Sequence, residues 1–544
     1  METPPASRPD LFRVGVLTGV VAAVLTLATI AHPVPAEAAE CSGPLQAKID
    51  AAPAGATVTA NPCIYREQVK ITRPLTLVGQ PGSEIRGSEV WGGWSRLPDG
   101  TFRSSDVVPT FVQEDVSCDR GTQRCAWPEQ VFVDGKPLQQ VSESTPLHLG
   151  KFKIGTSNKV NIATDPRGKT VEVTTRKHWI VADPTADNVT VKGFTMRHAA
   201  NDWRCGALQS HQPSSGSGTT FSSCRTRGDA DGWQVKNNRL LHTAGAVMSV
   251  RSRNALIEGN EVAYGGQLGI HNPQDGSVVR ANNVHHNNTE AFCMEFGKCV
   301  GYSTDGNSVA TNTLVEAGGI KVAGGIGNVT VTNNEFAHNL GQGVWFDVDT
   351  HDITVSNNRI HHNARKGIFF EISDRTKIFS NSLWENGWAT PMTMDGAGIE
   401  IGNSDDAEVF DNVLAWNADG ISIRCIDRND DDSICQRTNV HDNYVMQETT
   451  NIANDSADGL ALGWIGGGGS GSLYAATNAN RGTSNAYHYG YAENGRERFA
   501  WNSRLGSLSS FNATPGEVGG HYLTSSQKNT VLSNKGMPAN PEPR

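Results

Sequence analysis

A repeated segment with a base period of 22 to 24 residues constrains the fold of this chain more than any other feature. Each unit has the form apolar-x-apolar-x-Asn-x-apolar, as in ValThrValThrAsnAsnGluPhe and IleThrValSerAsnAsnArgIle. Short β-branched runs at this period are typical of a parallel β-helix, in which each coil stacks its apolar side chains on the next. The repeat therefore predicts an all-β fold, a right-handed parallel β-helix.

Asparagines anchor the repeat near the predicted corners of the coils. Asparagine suits a sharp corner because it tolerates left-handed backbone and its side chain can bind the asparagine of the next coil. The predicted anchors are Asn238, Asn260, Asn283, Asn312, Asn334, Asn358, Asn381, Asn412 and Asn443. Three intervals of 29 or 31 residues exceed the base period, which predicts loops inserted into otherwise regular coils. Such loops are where a solenoid builds the walls of a binding site.

The repeat also divides the chain into segments. Residues 40–89 read as the first coil, and the main β-helix spans 178–454. Between them, 90–177 breaks the pattern with aromatic, Pro-rich sequence and predicts a small inserted antiparallel β domain. Residues 455–544 are predicted to cap the last coil and then to become irregular.

The N-terminal residues 1–39 have the features of a secretory signal peptide. Arg8 and Arg13 precede an apolar run, and AlaGluAlaAla at 36–39 resembles a cleavage site. The alternative is a retained membrane anchor, since the run borders on the length of a transmembrane span. We expect a secreted, extracellular protein that has no membrane contact after cleavage.

The composition of the chain excludes some classes of protein. With 58 Gly, 19% charged residues and a net charge of −10, the chain suits neither a nucleic-acid binder nor a disordered protein.

In an exported chain, neighbouring cysteine couples are best explained as disulfides. The couples are Cys41/Cys63, Cys118/Cys125, Cys205/Cys224, Cys293/Cys299 and Cys425/Cys435. Zinc is a weaker explanation because no CxxC or HExxH occurs, and HisHisAsn at 361–363 is interpreted as a turn.

Two related motifs carry the candidate chemistry. GlyValTrpPheAspVal at 343–348 is followed one coil later by GlyIlePhePheGluIle at 367–372. Because side chains alternate along a strand, Val344 and Phe346 should point inward and their neighbours outward. The outward side chains of the two motifs are Trp345, Phe369, Asp347 and Glu371. The two carboxylates should therefore stack one strand spacing apart, roughly 4.8 Å.

The same register extends to other coils. The outward column that contains Trp345 is predicted to read His271, Lys321, Trp345, Phe369, Glu400 and Ser422. The adjacent column holds both acids and Arg424, and Glu295 in a loop-bearing coil is expected to face the same way. Stacked carboxylates repel each other, a cost that a solvated surface does not need. An exposed Trp beside them is a usual platform for a sugar ring.

The two acid motifs resemble the paired-acid signature of β-helical glycoside hydrolases, notably the β-xylosidases with this fold. Their pattern is similar to Gly-Ile-Trp-Leu-Asp followed by Phe-Phe-Glu-Val, and GlnValPheValAspGlyLys at 130–136 resembles the β-sandwich that they insert early in the helix. The resemblance covers most of residues 41–450 and implies Asp347 as nucleophile and Glu371 as general acid/base. The chain departs from the pattern at Val348, where the family has an aromatic residue.

The spacing of the acids agrees with these roles, because a retaining glycosidase needs carboxyl groups about 5 to 5.5 Å apart. We expect a monomeric hydrolase of a polysaccharide or oligosaccharide, without cofactor. The substrate-binding candidates are Trp345, Lys321, Glu400, Phe369, His271, Glu295 and Arg424. One alternative is a polysaccharide lyase with Lys321 as base and Ca²⁺ held by Asp347, Glu371 and Glu400. Another is a non-catalytic carbohydrate-binding protein.

Overall fold

Three long parallel sheets form the body of the protein. The computed structural model describes residues 39–111, 128–141, 143–202, 205–211, 230–289, 317–389, 396–426, 435–447, 459–467, 471–489 and 497–542. One sheet has 12 strands and two have 13, and the strands of successive coils are neighbours within each sheet. The chain visits sheets 1, 2 and 3 in turn, so that each coil contributes one strand to each. The predicted right-handed parallel β-helix is confirmed.

Within each sheet the strands lie side by side in the order of the coils. Sheet 1 consists of Thr57–Ala60, Thr76–Gly79, Thr190–Lys192, Gln234–Lys236, Leu256–Glu258, Val278–Arg280, Thr330–Thr332, His351–Ser356, Asp374–Phe379, Asp405–Phe410, Asn439–His441 and Arg481–Thr483. Sheet 2 consists of Ile64–Tyr65, Glu84–Arg86, Thr195–Ala199, Arg239–Thr243, Glu261–Gly265, Asn283–His285, Glu335–Ala337, Arg359–His361, Ser382–Trp384, Val413–Ala415, Tyr444–Gln447, Ala486–Tyr489 and His521–Tyr522. Sheet 3 consists of Val69–Ile71, Ile180–Ala182, Gly206–Gln209, Ala246–Ser249, Leu268–His271, Gly318–Ala323, Gln342–Asp347, Ile368–Glu371, Ala397–Gly402, Asp419–Ile426, Leu462–Gly467, Phe499–Trp501 and Ser503–Leu505.

The core lies inside the coils and is built by stacking equivalent apolar residues. In sheet 1 the central residue of each strand points inward and pairs with the central residue of the next strand. One such column consists of Val279, Val331, Val355, Ile378, Val409 and Val440. These side chains belong to a single buried cluster that extends along the whole helix. The inward-facing side chains of one strand are thus fully buried only when the adjacent coils are folded.

An asparagine ladder joins the coils at the corner between sheets 1 and 2. Each side-chain oxygen accepts from the backbone N–H and the amide of the preceding ladder residue, as Asn358 does from Asn334 at 2.9 and 3.0 Å. The ladder consists of Asn238, Asn260, Asn282, Asn334, Asn358, Asn381, Asn412, Asn443 and Asn485. The prediction of corner asparagines is confirmed for most of the proposed positions.

Two of the predicted anchors are wrong. The ladder residue is Asn282, whereas Asn283 begins the next strand and is exposed. Asn312 lies outside the described residues, and Asn282 binds directly to Asn334, so one coil with a long insertion fills the interval that the sequence suggested was two coils. Consecutive asparagines in AlaAsnAsnVal made the two positions indistinguishable by pattern alone.

A second ladder, which the sequence analysis did not predict, occupies the corner between sheets 2 and 3. Its amides are linked at 2.8 to 2.9 Å in the same way as those of the first ladder. It consists of Asn287, Asn339, Asn363, Asn386 and Asn417. The coils are therefore pinned at two corners, which fixes the register of sheet 3 relative to the core.

Two smaller sheets lie between the first coils and the main helix. A four-stranded sheet consists of Ser88–Val90, Val131–Val133, Lys136–Pro137 and Val171–Thr174, and a five-stranded sheet consists of Trp94–Arg96, Phe102–Val107, Gln139–Gln140, Lys151–Gly155 and Lys159–Ile162. Most of their pairings are antiparallel, and their apolar residues form a separate cluster. They belong to the same compact unit as the β-helix, Ala38–Arg544. The boundaries 90 and 177 stay a prediction.

The C-terminal region differs from the irregular cap that the sequence suggested. All three sheets continue beyond residue 455, and sheet 2 ends only at His521–Tyr522. The period was hidden because 42 residues separate Asn443 from the next ladder residue, Asn485. The α-helices of the described ranges are Leu45–Ala51, Leu508–Phe511 and Ser525–Asn534, and the 3-10 helices are Thr156–Asn158, Gly471–Tyr474 and Ala476–Asn478.

Disulfides join two of the predicted cysteine couples. Cys41 is bonded to Cys63, and Cys425 to Cys435. Cys205 is also disulfide-bonded, but its predicted partner Cys224 lies outside the described residues. The couples Cys118/Cys125 and Cys293/Cys299 lie wholly outside them. Among the described helices, none has the length and apolar character that crossing a membrane requires.

Adjacent asparagines provide a test of the ladder. Asn282→Ala removes the acceptor of the Asn260 N–H and the donor to the Ile257 carbonyl, both buried. We expect a loss of unfolding free energy of about 3 kcal/mol, because buried polar groups lose their partners. Asn283→Ala, on the exposed strand, should change it by less than about 0.5 kcal/mol. Urea unfolding followed by circular dichroism measures both, and equal effects would contradict the assignment of Asn282 to the ladder.

Candidate functional site

The central strands of sheet 3 stack the candidate residues in the predicted register. Lys321 pairs with Trp345, Trp345 with Phe369, and Phe369 with Glu400. Phe346 and Phe370 are also paired but lie in the core, so the alternation of inward and outward side chains agrees with the prediction. Asp347 and Glu371 each end their strand at the same step. The backbone therefore places the two carboxylates on one face in consecutive coils.

These outward residues are much less exposed than the sequence suggested. Asp347 is 9% exposed, Glu371 5% and Lys321 only 1%. Part of the reason is that side chains stacked one coil apart cover each other, as the Lys321 ammonium covers the ring of Trp345. The site is a buried set of polar side chains on the outer face of sheet 3, which includes Lys321, Asp347 and Glu371 and is called the tract below. Charges in such a place are stable only when paired or hydrogen-bonded.

An ion pair fixes the first carboxylate. The Nζ of Lys321 lies 2.5 Å from Oδ2 of Asp347, and it lies 3.2 Å from the ring centroid of Trp345. A cation above an indole face is attracted to its π-electrons. Lys321 is thus held by a carboxylate and a ring, and it balances the negative charge of Asp347.

A different set of contacts surrounds the second carboxylate. The indole Nε1 of Trp345 donates to Oε2 of Glu371 at 3.2 Å. The Trp345 ring also stacks on Phe369, with ring centroids 5.7 Å apart. Lys321 and Phe369 come from the coils on either side, so both faces of the indole are covered. This geometry argues against the prediction that Trp345 stacks on a sugar ring, and it makes Trp345 a residue that positions Glu371 and Lys321.

Lys366 is a site residue that the sequence analysis missed. Its Nζ lies 3.5 Å from Oε2 of Glu400 and 4.1 Å from the ring centroid of Phe369. Both side chains of this ion pair are 2% exposed. The pair repeats the arrangement of Lys321 with Trp345 one coil further along. Lys366 precedes the GlyIlePhePheGlu motif, at the step that Gln342 occupies in the preceding coil, and alternation within the strand does not predict its direction.

Polar residues continue the tract toward the N-terminal coils. His271 pairs with Lys321 in register, and its Nδ1 lies 3.4 Å from the hydroxyl of Ser249. Gln209 is the next residue of this column, beside Ser249. Burial lowers the pKa of the neighbouring His211 to about 3 and that of His178 to about 4. Both imidazoles are therefore neutral at pH 7 and act as hydrogen-bonding groups rather than as charges.

Several buried polar atoms of this face have no hydrogen-bond partner within the described residues. They are both amide atoms of Gln209, both ring nitrogens of His211, Oε1 of Gln342 and the hydroxyl of Ser422. Buried polar groups in native proteins are nearly always satisfied, by protein or by bound molecules. A concentration of unsatisfied groups on one face is what a binding site for a polar ligand requires. Of these residues, the sequence analysis named Ser422, as a member of the column.

Two further predicted residues are Arg424, which the register places where predicted, and Glu295. Arg424 pairs with Gly402, which pairs with Glu371, so it stands two coils beyond Glu371 in the same column, and it is partly exposed. Glu295 lies outside the described residues.

The acids of the tract are a poor match for Ca²⁺. Asp347 and Glu400, two of the three proposed oxygen ligands, each lie beside a lysine ammonium, with which a cation would compete. Among the described residues, the groupings of three metal-ligating side chains lie at the corner after sheet 2 instead, around His362.

Comparisons with known proteins agree with the fold. A family described as "Right handed beta helix region" matches residues 223–414. No curated protein matched the sequence. A solved structure described as the complex of XylC with xylose is 15% identical, with a TM-score of 0.54, and the match covers 82% of this chain and 80% of XylC. At this identity the likeness shows the fold.

Two other solved structures share less of the geometry. The A-module of the mannuronan C-5 epimerase AlgE4 from Azotobacter vinelandii is 12% identical over 73% of this chain and 89% of its own, with a TM-score of 0.38. A protein described as a glycoside hydrolase is 10% identical over 89% of this chain and 90% of its own, with a TM-score of 0.41.

The buried pair of Lys366 and Glu400 can be measured by a double-mutant cycle. Lys366→Met and Glu400→Gln should each destabilise the protein by about 3 kcal/mol, because each leaves a buried charge without its partner. The double variant should recover about 2 kcal/mol of the summed loss. Lys377 and Glu408 form a matched exposed pair at 3.7 Å, for which the recovery should stay below about 0.5 kcal/mol. Equal recoveries in urea unfolding would refute the buried pairing.

Proposed function

We propose that the protein is an exported glycoside hydrolase that cleaves a plant or microbial polysaccharide or oligosaccharide with retention of configuration. The observation that carries this proposal is the register of Asp347 and Glu371, which end consecutive strands of sheet 3 in unlike surroundings. Adjacent parallel strands lie about 4.8 Å apart, and retaining enzymes hold their carboxyl groups about 5 to 5.5 Å apart. An inverting enzyme needs a wider gap to admit water.

The surroundings of the two carboxylates support a different role for each. The nucleophile of a retaining glycosidase must be ionised, and the Lys321 ammonium balances the charge of Asp347. Asp347 therefore attacks the anomeric carbon and forms the glycosyl-enzyme intermediate. Glu371 is held by the indole N–H of Trp345 instead. Glu371 gives a proton to the leaving oxygen in the first step and takes one from water in the second.

The rest of the tract binds the sugar. Gln209, His211, Gln342 and Ser422 offer buried donors and acceptors to hydroxyl groups, and His271 and Arg424 line the same columns. Glu400 and Lys366 serve as a charged pair beside Phe369. Sugars suit such a face because each ring carries several hydroxyls. XylC, which shares the fold, is described in complex with xylose, and this supports a sugar as the ligand class.

The disulfides support export, since such bonds persist in oxidising compartments. We infer that the enzyme acts outside the cell as a monomer on soluble or wall-bound glycans. Neither Asp347 nor Glu371 needs a metal ion for the steps assigned to it.

A polysaccharide lyase is the second candidate, and the lysines of the tract are the observation in its favour. A lyase needs a base and a cation to neutralise a uronate, and the basic side chains of the tract are those of Lys321, Lys366 and Arg424. Lys321, however, is bound to the Asp347 carboxylate at 2.5 Å, and an ammonium in an ion pair is a poor proton acceptor. The hydrolase accounts for both acids, whereas the lyase uses neither as a catalyst.

The reaction class is decided by the products from a panel of plant and microbial polysaccharides. New reducing ends without unsaturated uronates are expected for the hydrolase. Unsaturated products restored specifically by Ca²⁺ would replace it with the lyase. Binding of glycans without any new chain ends would leave only a carbohydrate-binding protein.

Removal of the nucleophile should abolish turnover. Asp347→Asn is expected to lower kcat by about a thousandfold or more, because the amide cannot form the glycosyl intermediate. Circular dichroism must show that the variant is folded, since Lys321 loses its partner. Glu408→Gln, a partly exposed acid of sheet 1, is the matched control and should retain full activity. Undiminished activity of the Asp347 variant would remove it from the mechanism.

The effect of removing the general acid, Glu371, should depend on the leaving group of the substrate. Glu371→Gln is expected to slow glycosides with poor leaving groups by about a hundredfold or more, because these need a proton to depart. Aryl glycosides with activated leaving groups should form the glycosyl intermediate almost as fast as with the unaltered enzyme. Pre-steady-state kinetics on a series of aryl glycosides separates the two steps. Equal slowing across the series would contradict an acid role for Glu371.

A further inference from the structure

A group of titratable side chains lies at the corner between sheets 2 and 3, away from the tract on sheet 3. His362 and Glu385 occupy equivalent corner positions in consecutive coils, both with a left-handed φ of 54°. The Nε2 of His362 lies 3.2 Å from Oε2 of Glu385 and 3.4 Å from Oε2 of Glu542. This nitrogen is buried and makes no hydrogen bond within the described residues. It faces two carboxylate oxygens without hydrogen-bond geometry to either.

The hydrogen bonds behind His362 determine where the protons lie. The Nε2 of His361 is 2.9 Å from Oε1 of Glu335, and an ionised carboxylate can only accept, so this nitrogen carries the proton. The Nδ1 of a neutral His361 is then an acceptor. It lies 2.8 Å from Nδ1 of His362, which must donate. When His362 carries only this proton, the lone pair on its Nε2 is directed at the two carboxylates.

With His362 neutral, its Nε2 and the two carboxylate oxygens are three converging electron-pair donors, the arrangement that a bound cation requires. Separations of 3.2 and 3.4 Å are those expected between ligands of a tetrahedral ion bound at about 2.0 to 2.1 Å. We propose that Nε2 of His362 and the carboxylates of Glu385 and Glu542 bind one divalent transition-metal ion, with Zn²⁺ as the best match. One imidazole and two carboxylates leave a fourth position for water.

The remaining contacts are those that support a metal ligand. Oε1 of Glu385 accepts from the backbone N–H of Glu542 at 2.7 Å, so Oε2 is the oxygen turned toward His362. The Nδ1 of His362 binds His361, which binds Glu335. A carboxylate that orients a ligating imidazole in this way is a regular second layer of metal sites. Two of the three proposed ligands, His362 and Glu385, are thus held in place by hydrogen bonds to described residues.

The site joins the C-terminal segment to the middle of the β-helix. Glu542 follows the helix Ser525–Asn534, and the segment between them runs along sheet 2. Arg359 donates to the carbonyl of Lys535 at 3.2 Å, and Trp416 donates to that of Pro538 at 3.3 Å. The backbone N–H of Glu542 binds Glu385 as a third attachment, and a metal ion on the Glu542 carboxylate adds a fourth. The site therefore stabilises the fold and takes no part in the reaction proposed for sheet 3.

His441 provides a matched control. It also lies beside two carboxylates, but Asp442 is 2.7 Å from its Nδ1 whereas Glu408 is 3.6 Å from its Nε2. The two acids are on opposite nitrogens and do not converge on one point. His441→Asn should therefore leave metal binding unchanged.

The experiment uses the mature protein without a histidine tag, stripped with a chelator and titrated with ZnCl₂. Isothermal titration calorimetry and elemental analysis should give one Zn²⁺ per chain, and Zn²⁺ should raise Tm. Glu385→Gln and Glu542→Gln should weaken binding by about a hundredfold or more, and Glu335→Gln by about tenfold, because a supporting residue contributes less than a ligand. Glu542→Gln is the deciding variant, since its side chain is 63% exposed and the change does not threaten folding.

Cobalt provides a second readout, because Co²⁺ in a tetrahedral site absorbs in the visible range and this band should be lost in Glu542→Gln.

Three results would overturn the proposal. One is the absence of saturable Zn²⁺ binding, which would leave a protonated His362 as the cation of the group. Another is unchanged affinity in both glutamate variants. The third is loss of binding in His338→Asn alone, which would place the ion among His338, His361 and His362.

Discussion

Parallel pairing in strict register is the constraint on which the rest of this structure depends. In the described coil strands of the three long sheets, residues lie beside their equivalents in the preceding coil, so a property of one strand is repeated or complemented at a spacing of about 4.8 Å. The asparagine ladders enforce this register, because each amide binds the next amide and the backbone at once. A slip of one residue would turn Asp347 and Glu371 into the core, where unpaired charges are strongly unfavourable.

The same stacking explains why the outer face of sheet 3 is chemically unusual. Lysine, tryptophan, phenylalanine and glutamate follow one another along a single column, from Lys321 to Glu400. Each cation meets an aromatic face and a carboxylate, and each carboxylate meets a different donor. Two chemically similar acids therefore acquire different surroundings from a repetitive backbone. Catalysis by paired carboxyl groups needs that difference as much as it needs their spacing.

The fold was predictable because its signal is periodic. Apolar residues and corner asparagines report the coil directly, and the motifs around Asp347 and Glu371 report the register of sheet 3. Features without a period were missed. Asn283 was chosen over Asn282 because both fit the pattern, Lys366 lies before the alternating part of its strand, and the coils after Asn443 are separated by a long interval. The environment of the site was harder to predict than its position, because burial depends on side chains of neighbouring coils. Lys321 and Phe369 cover the two faces of Trp345, and Glu542 reaches His362 from far away in sequence, so no local pattern reports either arrangement.

The interval between Asn282 and Asn334 has a consequence for how such a protein can change. Its ladder contacts of 2.9 and 3.0 Å equal those between Asn334 and Asn358, although 52 residues separate the first pair and 24 the second. The hydrogen bonds of the ladder therefore do not depend on how many residues connect successive ladder asparagines. Insertions between successive ladder asparagines can be lengthened or exchanged while the columns of sheet 3 stay aligned. The loops of such a protein can therefore change while the scaffold that holds the two stacked acids stays the same.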